Sequence, residues 1–317
     1  MVAQDWTGCA VMGSSVRGAA HVRADLPNQD ALRWLPGTGA GLPVIVAVAD
    51  GHGSAKCFRS DRGARLAVLT ATDVLAEFVA GQAEAPTLTA VKRLAEETLP
   101  QQMVRRWQAA VEADLEHDPV TEDEWARLAE REGEATVHKV AEKPLLVYGA
   151  TLLAALVTQE YLLFLQLGDG DILTVSNELE VQRPLPGDRR LFANETTSLS
   201  GKQAWRDFRV AFQALSGPPP ALVLLTTDGY PNSFRDDPGF LQVGADLVQL
   251  IRADGLDLVR ANLDTWLSEA SAAGSGDDIT VALVWREDGG PTAAPPLRGA
   301  GEGPRTEAAS ESGGQDV

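Results

Sequence analysis

The stretch Val44-Ile45-Val46-Ala47-Val48-Ala49-Asp50-Gly51-His52-Gly53 decides the fold. Its first six residues are continuously apolar and rich in β-branched side chains, which reads as a strand buried on both faces. The run then stops on an aspartate followed by glycine, the chemistry of a turn. The same design recurs at residues 162–167, 222–226 and 279–285, each a near-continuous apolar run bounded by Gly or Asp. Residues 151–157 predict a fifth strand, paired as a hairpin with 162–167 across Thr158-Gln159-Glu160. A further strand is expected around Leu32.

Helical periodicity fills the intervals. Residues 61–80 place Leu66, Leu69, Val74 and Phe78 at helical spacing, with Gly81 positioned to cap the end. Residues 88–115 are amphipathic, and Pro100 kinks or restarts the helix there. Thr121-Glu122-Asp123-Glu124 fits a capping box opening a short acidic helix. Residues 246–272 read as a late pair of helices separated at Asp254-Gly255. Trp107 and Trp125 fall in helical stretches and are expected in the core. Helices grouped between hairpin-connected strands predict an α+β layered architecture and not a doubly wound parallel sheet.

Composition sets the outer bounds. An apolar fraction of 44% over 317 residues suffices for a sizeable core. A formal net charge of −18 without a basic stripe speaks against a nucleic-acid partner, whose phosphates need clustered Lys and Arg. The two cysteines, Cys9 and Cys57, form neither a disulfide framework nor a metal-type spacing. No signal-peptide pattern opens the chain and no apolar run is long enough to cross a bilayer, so a cytoplasmic protein without a membrane partner is expected. Residues 1–288 read as one domain with a helical insertion at about 88–143, and 289–317 as a disordered Pro/Gly-rich tail.

The aspartates carry the chemistry. Asp50, Asp169 and Asp228 each follow an apolar run, Asp277 precedes one, and Asp30 precedes the strand around Leu32. A single Asp-Gly after a strand means only that the chain turns. Five such carboxylates brought to one place would repel and raise one another's pKa, and a bound cation is the usual remedy. Carboxylates and backbone carbonyls are hard oxygen donors that suit Mg²⁺ or Mn²⁺, and the Gly51 carbonyl is a further candidate ligand. Zinc would ask for His or Cys, and His21, His52, His117 and His138 are scattered. Asp171 and Asp278 read as turn or capping partners.

In order along the chain stand Asn-Gln-Asp-Ala at 28–31, Val-Ala-Asp-Gly-His-Gly at 48–53, Gly-Ala-Thr-Leu at 149–152, Leu-Gly-Asp-Gly-Asp at 167–171, Thr-Thr-Asp-Gly at 226–229 and Gly-Asp-Asp-Ile-Thr-Val at 276–281. Together they resemble the type 2C metal-dependent serine/threonine protein phosphatases, in a bacterial branch. The resemblance implies a four-layer αββα sandwich of two antiparallel sheets flanked by helices, with two Mg²⁺ or Mn²⁺ ions at one end. It implies that Asp50 bridges both ions, that the Gly51 carbonyl binds one, and that Asp228 and Asp277 bind the other. Asp30 resembles the acid that holds metal-bound waters, and Asp169 matches the position of a weaker third ion. A hydroxide bridging the two metals would attack phosphorus, with His52 as general acid for the leaving alkoxide, a solvent-facing loop histidine being the alternative.

Two positions depart from the family pattern. Five residues before Asp30, where relatives carry a phosphate-gripping arginine, this chain has Asp25. Arg23 takes that role only if residues 24–27 bulge, an ordinary surface charge being the alternative. Asn232 stands where many relatives carry an acid. The implied activity is dephosphorylation of phosphoserine and phosphothreonine in proteins, opposing a serine/threonine kinase. A non-catalytic regulatory binding module of the same fold and a phosphatase of a small phosphorylated metabolite are the competing readings.

Overall fold

A computed structural model describes residues 8–84, 87–185 and 197–287. The expected tail at 289–317 lies outside the described residues. Among the described residues ten strands form two antiparallel sheets, each of five. The first contains β1 (Cys9–Val16), β6 (Asp171–Val175), β7 (Val181–Gln182), β9 (Leu222–Thr226) and β10 (Ile279–Arg286), in the order β1-β10-β9-β6-β7. The second contains β2 (Ala31–Leu35), β3 (Val44–Ala49), β4 (Leu152–Val157), β5 (Tyr161–Leu167) and β8 (Arg209–Ala214), in the order β2-β3-β4-β5-β8.

Strand periodicity explains the layers. In β3, Val44, Val46 and Val48 enter the core between the sheets, against Leu153 and Phe164 of the same sheet and Val223, Leu225 and Val284 of the other. The alternate residues Ile45, Ala47 and Ala49 face outward onto helices α2 (Ser60–Ala80) and α3 (Leu88–His117). Both faces are covered, so the run has no polar alternation. On the opposite side, Leu173, Leu224 and Leu283 pack on α6 (Asp237–Asp254) and α7 (Leu256–Ala273) through Phe240, Val248 and Leu267. The result is helices, sheet, sheet, helices. Ala47 and Ala49 meet Ala64, Ala67 and Ala71 of α2 in one cluster, where small side chains let helix and sheet approach closely.

Several boundaries differ from the sequence expectation. The helix after Thr87 runs unbroken to His117, with Pro100 inside it and buried. Its Trp107 is fully buried and donates Nε1–H to the Gly63 carbonyl at 3.0 Å. The first late helix starts at Asp237, because Asp236 caps it by accepting from Gly239 N–H at 2.9 Å and Pro238 fits its first turn. Gly81 ends α2 in an ordinary right-handed conformation. Strands β1, β6, β7 and β8, and the short helix α1 (Ala19–Ala24), fall outside the sequence expectation.

Between α2 and β4 lie α3, α4 (Glu122–Glu132) and α5 (Glu134–Ala141). The expected capping box is present at α4: Thr121 accepts from Glu124 N–H, and Glu124 accepts from Thr121 N–H at 2.8 Å. Arg59, at the start of α2 and almost fully buried, ties this insertion to the sandwich. It donates twice to Glu124 at 2.8 Å, to the Asp118 and Pro119 carbonyls at 2.6 and 3.0 Å, and to the Tyr148 hydroxyl at 3.0 Å.

Candidate metal centre

Antiparallel pairing decides where the acids go. Ala31 pairs with Ala49, and Leu152 with Leu167, so Asp30, Asp50 and Asp169 leave the second sheet at one edge. In the first sheet Thr226 pairs with both Val281 and Asp171, which sends Asp228 and Asp277 to the corresponding edge. The sheets are joined there by side chains. Thr227 Oγ1 donates to Asp30 at 2.7 Å and accepts from Thr280 N–H at 2.9 Å.

The carboxylates converge. Asp50, Asp169 and Asp228 each offer an oxygen, all within 4.8 Å of one another, whereas Asp277 forms a second such group with His21 and Asp278. Burial, then the charges of Asp30, Asp228, Asp277 and Asp169, hold the Asp50 carboxyl well above the usual carboxylate range. Asp228 is pushed up to about 6 by burial and by Asp169 and Asp277. Asp30 is pushed up to about 8, chiefly by burial, against the lowering effect of Thr227. Among the described residues no Lys or Arg pairs with Asp30, Asp50, Asp228 or Asp277. Electrostatic strain of this kind is relieved by a cation at the centre.

The surroundings fit a hard divalent ion. Gly51 donates to the Gln29 carbonyl at 3.1 Å, and among the described residues no donor reaches its own carbonyl. A Cβ at Gly51 would come within 2.6 Å of the Ser60 carbonyl and 2.7 Å of the Gln29 carbonyl, so only glycine fits. Gly168, which turns the chain toward Asp169, has a φ of 111°, and a Cβ there would lie 2.5 Å from Thr151 Cγ2. Thr151 in turn fixes Asp50, accepting from its N–H at 3.0 Å and donating its own N–H to the Asp50 carbonyl at 2.8 Å.

Asp171 is held by Arg183 through two bonds of 2.8 Å and is thereby taken out of the ligand set. Asp278 is a buried anchor: it accepts from Gly18 N–H and Gln29 N–H, each at 2.6 Å, and its other contact is His21 Nδ1 at 2.8 Å. It thereby fastens the segment before Asp30 to the start of β10. His21, a residue the sequence did not single out, lies between Asp278 and Asp277, with Nε2 3.5 Å from Asp277. The only signal for it was its place a few residues before the Asn-Gln-Asp motif. Asn232 donates its amide to Asp228 at 3.0 Å and so positions that carboxylate.

Arg23 is exposed near the end of α1, where Asp25 adopts a left-handed φ of 51°. An Arg23 guanidinium nitrogen reaches 3.9 Å from the position a Cβ on Gly276 would take, one residue from Asp277. His52 is half-buried on the loop after Asp50, its N–H bonded to the Gly149 carbonyl at 3.0 Å. Burial lowers its imidazole below the ordinary 6.5, while the Asp169 charge acts in the opposite sense.

The match to a family model settles the class. The model for protein phosphatase 2C matches residues 17–268, well over half of the sequence. The chain belongs to the protein phosphatase 2C family, the metal-dependent serine/threonine protein phosphatases. Among solved structures it is similar to the serine/threonine phosphatase PstP/Ppp of Mycobacterium tuberculosis, with a TM-score of 0.53 and 16% identity over 89% of this chain and 100% of that one. It is also similar to PppA of Pseudomonas aeruginosa, described as a key regulatory component of T6SS, with a TM-score of 0.51 and 18% identity over 87% of this chain and 97% of that one. A bacterial serine phosphatase bearing a point mutation scores 0.51 at 16% identity, over 87% and 98% of the two chains. A search of curated proteins found no match. Among the described residues no helix is long and apolar enough to cross a membrane.

Proposed function

We propose that this chain removes phosphate from phosphoserine and phosphothreonine in proteins, opposing a serine/threonine kinase, with two Mn²⁺ or Mg²⁺ ions held at the carboxylate cluster. The observation that carries this reading is the convergence of Asp50, Asp169 and Asp228 within 4.8 Å, in surroundings that raise carboxylate pKa values. In this reading Asp50 serves both ions, the Gly51 carbonyl one of them, Asp228 and Asp277 the other, and Asp169 a weaker third. Bound there, the ions supply a nucleophilic water of lowered pKa and offset charge on the phosphoryl oxygens.

The chain's own residues do the rest. Asp30 orients water in the site, and Thr227 holds Asp30 in place. Arg23 meets the phosphate from the side of Asp277. As the bond between phosphorus and the serine oxygen breaks in line with the attacking oxygen, the departing alkoxide takes a proton from His52. In the free enzyme burial holds the His52 imidazole below its ordinary value. The phosphate dianion of bound substrate favours its protonated form.

The reading is tested by assaying a phosphoserine peptide and a set of small phosphorylated metabolites with Mn²⁺. The peptide is expected to be the better substrate, and EDTA to abolish its turnover. Preference for a metabolite would move the assignment to a small-molecule phosphatase, and no turnover at any metal concentration would leave a binding module. His52→Ala is expected to cost about 10² or more in kcat on the phosphoserine peptide, the ordinary contribution of a positioned acid. The loss on p-nitrophenyl phosphate should be far smaller, since nitrophenolate leaves without a proton. Equal losses on both substrates would remove His52 from the acid role.

A further inference from the structure

Between the loop after His52 and α4 lies a groove of about 220 Å³ that the phosphate chemistry does not use. Its floor is apolar, made by Leu26 from the segment leading to Asp30, by Ala55 and Phe58 from the loop after His52, and by Leu128 of α4. Its far wall is α4, through Glu124, Arg127 and Arg131. These three and Leu128 fall at i, i+3, i+4 and i+7, one face of the helix. The acids Glu122, Asp123 and Glu130 fall outside that face, and Glu132 at its edge pairs with Lys56 at 4.0 Å.

The charges along this face are unbalanced. The Glu124 carboxylate is held by Arg59 and driven down to about 2, so it is offset within the protein. Arg127 and Arg131 are exposed, and among the described residues neither has a hydrogen bond or ion pair. The chain carries a net charge of −18, so two uncommitted guanidinium groups on one apolar groove stand out from their surroundings. The wall is also rigid. Arg59 fixes both ends of the turn before α4, and Trp125 packs edge-on against Phe58 with ring centroids 5.9 Å apart.

Distance along the chain ties the groove to the chemistry. Ala55 is three residues from His52, and Leu26 four from Asp30, so their Cα atoms lie within about 11 and about 15 Å of those residues. An extended peptide covers that in roughly three to five residues. We infer that the groove receives the segment of the phosphorylated substrate flanking the phosphoserine, with an apolar side chain on Leu26 and Phe58 and an acidic residue against Arg127 and Arg131. The inference rests on the phosphatase reading above and adds a substrate class to it: phosphoserine with a carboxylate in its flanking segment.

The test compares two phosphoserine peptides that differ only at those flanking positions, Glu in one and Lys in the other, with p-nitrophenyl phosphate as the reference. For the wild-type chain the Glu peptide is expected to have a kcat/KM at least about tenfold higher, carried by KM, as charge complementarity predicts. The double variant Arg127→Ala/Arg131→Ala should bring the ratio of the two peptides close to one, and Arg131→Glu should invert it. Both positions are exposed, so the fold tolerates these changes. Turnover of p-nitrophenyl phosphate with equal rates on both peptides, or a Glu preference that survives in the double variant, would overturn the docking assignment alone. Absence of turnover on all three substrates would overturn the phosphatase reading, and the docking site with it.

Discussion

Asp50→Asn is expected to lower kcat on a phosphoserine peptide by about a thousandfold or more, while the metal-free protein becomes harder to unfold. On the proposed reading, the first effect follows from removing a carboxylate shared by the ions, since Lewis-acid stabilisation of several kcal/mol corresponds to roughly that factor. The second follows from the same electrostatics. Asp50 is buried among Asp30, Asp228, Asp277 and Asp169, and without a cation that arrangement opposes folding. Asparagine keeps the shape, and the backbone bonds between Asp50 and Thr151 are untouched. A rise in Tm together with a collapse in turnover separates a functional acid from a merely structural one. Loss of stability with full activity would show that Asp50 serves the fold.

The second large effect concerns metal and pH together. Asp30 and Asp228 have folded-state values of about 8 and about 6, both raised from 3.8. Between pH 4 and 8 the metal-free folded state therefore holds more protons than the unfolded chain. The contribution of these two acids to stability then falls as pH rises through that window, the reverse of the usual behaviour of paired carboxylates. Adding Mn²⁺ reverses the trend, because the ion takes the place of the protons. At a concentration one hundred times its Kd, an ion binding only the folded state adds about 2.7 kcal/mol, or roughly 5–10 °C in Tm for a domain of this size. Thermal unfolding at pH 5 and pH 8, with Mn²⁺ and with EDTA, reads this directly. The Mn²⁺ increment should be much the larger at pH 8, and an equal increment at both would mean that the acids are ionised regardless of the ion.

The sequence was legible where both faces of an element are covered. β3, β4, β5, β9 and β10 are continuously apolar because they sit between the inter-sheet core and a helical layer. β1 was missed because its second half, Gly13-Ser14-Ser15-Val16, is only partly buried and reads as a loop. β8 was missed because it is an edge strand, half-exposed and carrying Arg209 and Gln213. The five acids were legible for a topological reason, since antiparallel alternation sends the end of one strand and the start of the next to the same edge.

What was not legible depends on contacts distant in sequence. Asp278 reads as a turn residue, yet its bonds reach Gly18 and Gln29 across the sheet edge and brace the approach to Asp30. No local pattern could place His21 between Asp277 and Asp278. Asn232 has the right position for a ligand, but its amide bonds Asp228 instead. The short helix carrying Arg23 ends on a left-handed Asp25, a conformation that aspartate tolerates but does not announce.

The central claim is tested most directly by titrating Mn²⁺ into metal-stripped protein at pH 7 and following bound ion and released protons together. The account predicts saturable binding accompanied by proton release, because Asp30 is still protonated at that pH, and a marked loss of both in Asp50→Asn. Equal Mn²⁺ binding by the wild type and the Asp50→Asn variant, or no binding by the wild type, would contradict it.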